Sequence, residues 1–249
     1  MAAIVLTIPQ AFLLSLAGGI LPVLIWLWFW LKEDREHPEP KRLTALAFCG
    51  GMITALAAVP IEQSLFAFAT SGATSYADAL VAYPHLVVLF AGVEELFKYF
   101  AFALVALGSR YFDEPIDALI YMITVALGFA AAENTLYLLN TITQSGLVLG
   151  LLNGNLRFIG ATLLHVASSA FIGIALGFAF YRGFSMRIAA TIVGILAATS
   201  LHAVFNFSIL KVQSIGDALG TFAIFWSISV LIILIFERIK RVYPVNPIA

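Results

Sequence analysis

The stretch LVVLFAGVEELFKYFAFALVAL, Leu86 to Leu107, is long and apolar enough to cross a bilayer, yet it carries Glu94, Glu95 and Lys98 near its middle. A charged side chain at the centre of a membrane helix costs about 2.5–3.5 kcal/mol even on insertion scales. Three of them must be offset by one another or by partners elsewhere. At helical spacing Glu94 and Lys98 are four residues apart and Glu95 and Lys98 three, so Lys98 can pair with either carboxylate. Two adjacent carboxylates repel when both are ionised. One is expected to stay charged beside Lys98, leaving the other as a tunable base.

The rest of the chain supports a membrane reading. It has 249 residues, 62% of them hydrophobic and only 11% charged, where soluble domains carry roughly 25% charge. The mean hydropathy is +1.01. These values define an all-α, polytopic transmembrane helix bundle, read as one integral-membrane domain over 1–249. A net charge of −1 offers no basic field for nucleic acid, and the single cysteine, Cys49, excludes an intramolecular disulfide and a thiolate metal cage. No C-x-x-C, Walker or dinucleotide-binding motif occurs. The N-terminal MAAIVLTIPQ lacks a positive region and reads as the start of an uncleaved first span.

Seven apolar runs of about 20 residues are expected spans, near 7–31, 43–70, 84–107, 116–140, 157–181, 187–210 and 216–236. The Gly-bearing segment 143–155 is either a re-entrant turn, which would allow an eighth crossing, or the start of the fifth helix. Lys32, Arg35, Lys41, Arg42, Arg110, Arg182, Arg187, Arg238, Lys240 and Arg241 fall in loops on one side, against Arg157 and Lys211 on the other. The positive-inside rule then puts the N-terminus outside and the C-terminus in the cytoplasm.

Ionisable groups within spans are rare and usually functional. Besides the trio they are Glu62, Glu133 (with Asn134 beside it), His165 and His202, the last followed one turn later by Asn206. At 1.5 Å per residue Glu94 lies about 15 Å below the outer surface, Glu133 about 10 Å, and Glu62, His165 and His202 about 12 Å. Asn206 is shallower, at about 6 Å. Five helices thus place polar groups in one layer of the outer half.

Amide hydrolysis needs a base for water, a proton carrier for the leaving amine and donors for the oxyanion. Glu94 can be the base, His165 can carry protons or orient the water, and His202 with Asn206 can donate to the oxyanion. A zinc ion is the other option, with Glu94, Glu133, His165 and His202 as candidate ligands. No H-E-x-x-H occurs, so such a site would be assembled from separate helices. Blander roles stand beside these: an ion-pair lock for Glu94, Glu95 and Lys98, and interhelical hydrogen bonding for each histidine and Asn206. Glu62, just after Pro60, reads as structural or supporting. Arg157 is expected to snorkel at the outer interface, and His85 and Asp117 to sit at helix ends as interfacial or capping groups. Gly173-x-x-x-Gly177 and Gly146-x-x-x-Gly150-x-x-x-Gly154 read as close helix packing.

Glu94-Glu95-x-x-Lys98, Gly128-Phe129-Ala130-Ala131-Ala132-Glu133-Asn134, His165 and His202-x-x-x-Asn206, in this order across four helices, resemble the PrsW family of membrane proteases. So does the acidic, proline-bearing loop Asp34-Arg35-Glu36-His37-Pro38-Glu39-Pro40. The pattern is distantly similar to that of the CAAX prenyl endopeptidases and bacteriocin-processing membrane proteins, although Lys98 stands at a shorter spacing than their arginine. The resemblance implies a glutamate-dependent intramembrane endopeptidase of a bacterial or archaeal inner membrane. By it Glu94 activates water with Glu95 beside it, His165 assists the water, His202 and Asn206 form the oxyanion site, and Lys98, Glu133, Asn134 and Glu62 support them. The implied substrate is a single-pass, anti-sigma-factor-like membrane protein cut near the extracytoplasmic face. Members have been classed as metallopeptidases, which keeps zinc open as a cofactor. The readings that compete are a proton- or ion-coupled transporter, since proton relays use the same residue types, and a non-proteolytic binding protein of the same fold.

Overall fold

A computed structural model of the chain describes residues 6–32, 38–70 and 76–243, apart from the side chains of 76–77, 149 and 152–159. Residues 33–37 of the acidic linker and the Arg157 side chain, for which the sequence reading made specific expectations, lie outside the described residues. The described chain forms α1 (Ile8–Lys32), α2 (Lys41–Ala69), α3 (Tyr76–Ala82), α4 (Pro84–Phe102), α5 (Asp117–Ser145), α6 (Leu147–Phe178), α7 (Phe184–Leu210) and α8 (Ile215–Ile239), with no strand among the described residues.

The protein is a polytopic helical bundle. Six described helices are long and apolar enough to cross a membrane: α1, α2, α5, α6 over Gly160–Phe178, α7 and α8. The remaining expected span is α4, in which Glu94, Glu95 and Lys98 replace apolar residues, continued by one π-helical turn at Ala103–Leu107. The segment 143–155 is no re-entrant turn. α5 runs to Ser145 and α6 starts at Leu147, with Gly146 alone between them at φ +83°. Only glycine takes that conformation without strain, and it reverses the chain in one residue.

α5 is the hub. It packs against α1, α2 and α6, and 89% of its apolar stretch is buried, against 22% for α8. Every residue from Asp117 to Ala132 is buried, as suits a helix enclosed on all sides over that stretch. Its hydroxyls bond backward to their own helix, Thr124 to Ile120 O and Thr135 to Ala131 O, each at 2.8 Å. Glycines let backbones touch. A Cβ on Gly51 of α2 would run into the Val125 carbonyl, and one on Gly128 of α5 into the Phe48 carbonyl. On α6, Gly173 and Gly177 likewise meet the backbone of Leu119 and Pro115, where a Cβ would lie at 2.6 and 2.7 Å. In the other glycine series Gly150 seats on Ile142, while Gly146 faces open space and serves the turn.

α4 opens with Pro84 at its first position, where the missing N–H costs nothing. It lies against α2, α7 and α5. Its buried face runs Leu86, Val87, Phe90, Ala91, Glu94, Glu95, Lys98, Ala101 and Phe102 at helical spacing. The three charges therefore point inward. At the far end of α5, Asp117 Oδ2 accepts from the backbone N–H of Asp113 at 2.8 Å and of Glu114 at 2.7 Å. One turn on, the Tyr121 hydroxyl donates to Glu39 and ties the end of the acidic linker to the hub.

Candidate functional site

Four helices deliver polar side chains to one point. α4 brings Glu94, Glu95 and Lys98, α5 brings Glu133, α6 brings His165, Ser168 and Ser169, and α7 brings His202. The spacing left open which carboxylate takes the ammonium. Lys98 Nζ sits 2.8 Å from Glu95 Oε1 and 3.5 Å from Glu94 Oε2, so Glu95 holds the close contact. Lys98 also reaches His165 Nδ1 at 2.9 Å and lies 4.3 Å from the centroid of the Phe129 ring, whose face attracts a cation.

Glu95 and Lys98 have no exposed surface. A buried carboxylate is tolerable only when its lone pairs are filled. Glu95 receives Lys98 Nζ at 2.8 Å, His202 Nδ1 at 2.8 Å, Ser168 Oγ at 3.0 Å and Ser169 Oγ at 2.7 Å. The two serines were not singled out from the sequence. They follow His165 by three and four residues and so share its face of α6, which is the signal that could have found them.

The donors assign the histidine tautomers. An ammonium only donates, so His165 accepts at Nδ1 and its Nε2–H donates to Glu133 Oε2 at 2.8 Å. A carboxylate without a proton only accepts, so His202 donates its Nδ1–H to Glu95, which in the neutral ring leaves the lone pair at Nε2. That nitrogen is 3.7 Å from Glu94 Oε2, and His165 Nδ1 is 3.8 Å from the same oxygen. Glu94 Oε2 is buried and has no hydrogen-bond partner among the described residues.

Glu94, His165 and His202 line a cavity of about 570 Å³, within the usual size for a ligand site. Glu62, Glu133, Tyr137 and Asn206 share its wall, with an apolar side built from Leu164, Phe205 and Phe222. Glu62 Oε1 is also a buried oxygen with no hydrogen-bond partner among the described residues. Asn134 is turned elsewhere: its Nδ2 donates to Thr162 Oγ1 on α6 at 3.3 Å, away from the cavity lining. Glu95 and Lys98 stand behind the wall rather than on it.

The donor set also suits a metal ion. One ligand atom each from Glu94, His165 and His202 lies within 4.8 Å of the others, and two histidines with a carboxylate are a zinc-type combination. The unpartnered Glu94 Oε2 and the lone pair on His202 Nε2 fit such a group directly. His165 fits through Nδ1, in exchange for Lys98. Glu133 would then fall outside the ligands, as the residue that accepts the second N–H of His165.

Membrane-spanning helices enclosing a buried, hydrogen-bonded Glu–Lys–His centre beside a cavity make this the candidate site of a membrane-embedded enzyme. The model of the PrsW family of intramembrane metalloproteases matches residues 39–235, and the chain belongs to that family: it is a membrane protease. It is 28% identical over 220 residues to Protease PrsW of Geobacillus kaustophilus, covering 85% of this chain and 88% of the relative. It is 26% identical to Protease PrsW of Oceanobacillus iheyensis, covering 91% and 94%. It is 24% identical to Protease PrsW of Bacillus subtilis, covering 77% and 81%. No solved structure matches the chain.

Proposed function

We propose that this protease is a glutamate-dependent endopeptidase of a bacterial or archaeal inner membrane that cuts a single-pass, anti-sigma-factor-like protein near the extracytoplasmic face. One observation carries the proposal. Glu94 Oε2 is buried at the cavity wall, 3.5–3.8 Å from Lys98 and both histidines and hydrogen-bonded to none of them. Such an oxygen is free to take a proton from water. The N-terminus-outside orientation from the loop charges, and the depth it assigns to Glu94, support an extracytoplasmic cut.

Glu94 accepts a proton from water as the water oxygen bonds to the scissile carbonyl carbon. The carbonyl oxygen becomes the oxyanion, with the Asn206 amide as a neutral donor and His202 Nε2 as a donor once it carries a proton. The C–N bond then breaks, and the proton held at Glu94 leaves with the amine. Glu95 keeps Lys98 and His202 in place. His165 connects Lys98 to Glu133, whose side chain is 30% exposed and can pass protons to the cavity.

A second reading, favoured by the Glu94–His165–His202 grouping, has these three residues hold zinc. Bound there, the ion would polarise the scissile carbonyl and lower the cost of ionising water. Metal analysis of the purified protein, with cleavage assayed before and after chelation, separates the two.

The proteolytic function is tested by co-expressing tagged single-pass candidates with wild type and with Glu94→Gln. The expected result is a membrane-retained fragment with wild type only, and an unchanged unfolding midpoint for the variant. Full cleavage by Glu94→Gln would overturn the mechanism.

A further inference from the structure

We infer that Ser169 is a positioning residue for the hydrolytic reaction, holding Glu95 in the orientation that fixes His202, an inference that rests on the proteolytic function proposed above. The two oxygens of Glu95 are served unequally. Oε1 receives Lys98 Nζ and His202 Nδ1, both at 2.8 Å, and Ser168 Oγ at 3.0 Å. Oε2 receives Ser169 Oγ at 2.7 Å, the one donor to it among the described residues.

The neighbouring serines are therefore not equivalent. Ser168 has one hydroxyl proton and three acceptors in reach, Glu95 Oε1 at 3.0 Å and its own helix's Leu164 and His165 carbonyls at 2.8 and 3.4 Å. If it spends the proton on Leu164, Oε1 still keeps two charged or strongly polar donors. Ser169 has no such substitute. Glu95 has no exposed surface, so water does not reach Oε2 when the hydroxyl is gone. A charged buried oxygen left bare costs more than a neutral one. The carboxylate relieves it by turning, and turning breaks the 2.8 Å contacts of Oε1 with Lys98 and His202. His202 is then no longer held with its proton on Nδ1, and its Nε2 lone pair is no longer directed toward Glu94. Substrate contacts at the cavity wall are untouched, because neither Glu95 nor Ser169 lines it.

The test compares four forms of the full-length protein in detergent or liposomes: wild type, Ser168→Ala, Ser169→Ala and Ser169→Cys. Ser169→Ala should lower kcat about 10- to 100-fold with KM unchanged, the range for losing a hydrogen bond to a buried charge. Ser168→Ala should lose clearly less than Ser169→Ala, because Oε1 keeps Lys98 and His202. Ser169→Cys, nearly isosteric and a weak donor, should fall between them. Equal losses at the two serines, or a Ser169→Ala form whose KM rises while kcat holds, overturns the inference. A readout independent of turnover is the ¹⁵N spectrum of histidine-labelled protein, assigned with His202→Gln. His202 should be the Nδ1–H tautomer in wild type and a tautomer mixture in Ser169→Ala; an unchanged His202 signal refutes the role. Should Glu94→Gln cleave as well as wild type, the proteolytic mechanism fails, and the His202 spectrum still decides the part played by Ser169.

Discussion

Lys98 Nζ and His165 Nδ1 are 2.9 Å apart across α4 and α6, so a single ammonium fixes the tautomer of a histidine on another helix. The same ammonium neutralises Glu95. Removing it strands a carboxylate that has no exposed surface. Lys98→Met should destabilise the bundle by about 3–5 kcal/mol, the cost of breaking one side of a buried ion pair. Lys98→Arg should not restore it, since the larger planar guanidinium cannot reproduce the compact ammonium's 2.8 Å and 2.9 Å contacts with Glu95 Oε1 and His165 Nδ1 in a space with no exposed surface. Unfolding titrations in mixed micelles measure both.

Glu133 accepts the His165 Nε2–H at 2.8 Å. Glu133→Ala removes that acceptor and should lower kcat about tenfold, whereas Glu133→Gln, which still accepts through its amide oxygen, should lose less. The order of the two variants in a cleavage assay is the check. Equal losses would point to the charge of Glu133 rather than its bond to His165.

Gly128 allows the backbone of α5 to rest on the Phe48 carbonyl of α2. Gly128→Ala drives a methyl group into backbone that cannot rotate away, and should cost about 1–3 kcal/mol or more. Gly108 has open space around its missing Cβ, so Gly108→Ala should stay within about 0.5 kcal/mol of wild type. Thermal unfolding of the pair separates close packing from a general intolerance of the chain to added atoms.

The Tyr121–Glu39 hydrogen bond ties the acidic linker to α5. Tyr121→Phe deletes only the hydroxyl and should cost about 1 kcal/mol globally. Locally it frees the chain around Lys41 and Arg42. Trypsin added to inverted vesicles should nick this segment faster in the variant, with the rest of the protein equally protected.

Ten of the thirteen lysines and arginines fall in loops assigned to one face. By the positive-inside rule that face is cytoplasmic. A C-terminal green fluorescent protein should therefore fluoresce and a C-terminal alkaline phosphatase should be inactive. The reverse pattern would invert the orientation and, with it, the proposed side of cleavage.

Much of the bundle was legible because intramembrane charge is expensive and conspicuous. Glu94, Glu95, Lys98, Glu133, His165 and His202 stood out for that reason, and helical rise placed them near one depth. Spacing could not choose Lys98's partner, because residues three and four apart are both in reach; Glu95 is the carboxylate that Ser168 and Ser169 of α6 and His202 of α7 also hold, and it takes the 2.8 Å contact while Glu94 stays at 3.5 Å. Ser168 and Ser169 passed unnoticed because serine in a membrane helix commonly bonds its own backbone, as Ser64 and Ser200 do here. Asn134 was grouped with Glu133 by adjacency, yet neighbours on a helix point about 100° apart. It faces Thr162 while Glu133 faces the cavity. The short, glycine-rich segment 143–155 left a re-entrant turn and the start of the fifth helix both open, and a single positive-φ residue at Gly146, with α6 starting at Leu147, decides for the helix.

The enclosure of α5 bears on how the protein is made. Its mean hydropathy of 1.5 is the lowest among the six apolar helices, against 2.1 for α1 and 1.8 for α2. It carries Glu133 and Asn134 with little apolar surface to spare. Alone, it is the poorest candidate of these six to leave the translocon for lipid. Yet α1 and α2, which cover two of its sides, are synthesised first, and α6 emerges straight after the one-residue turn at Gly146. The order of the helices along the chain is thus the order in which a dry berth is prepared, filled and sealed.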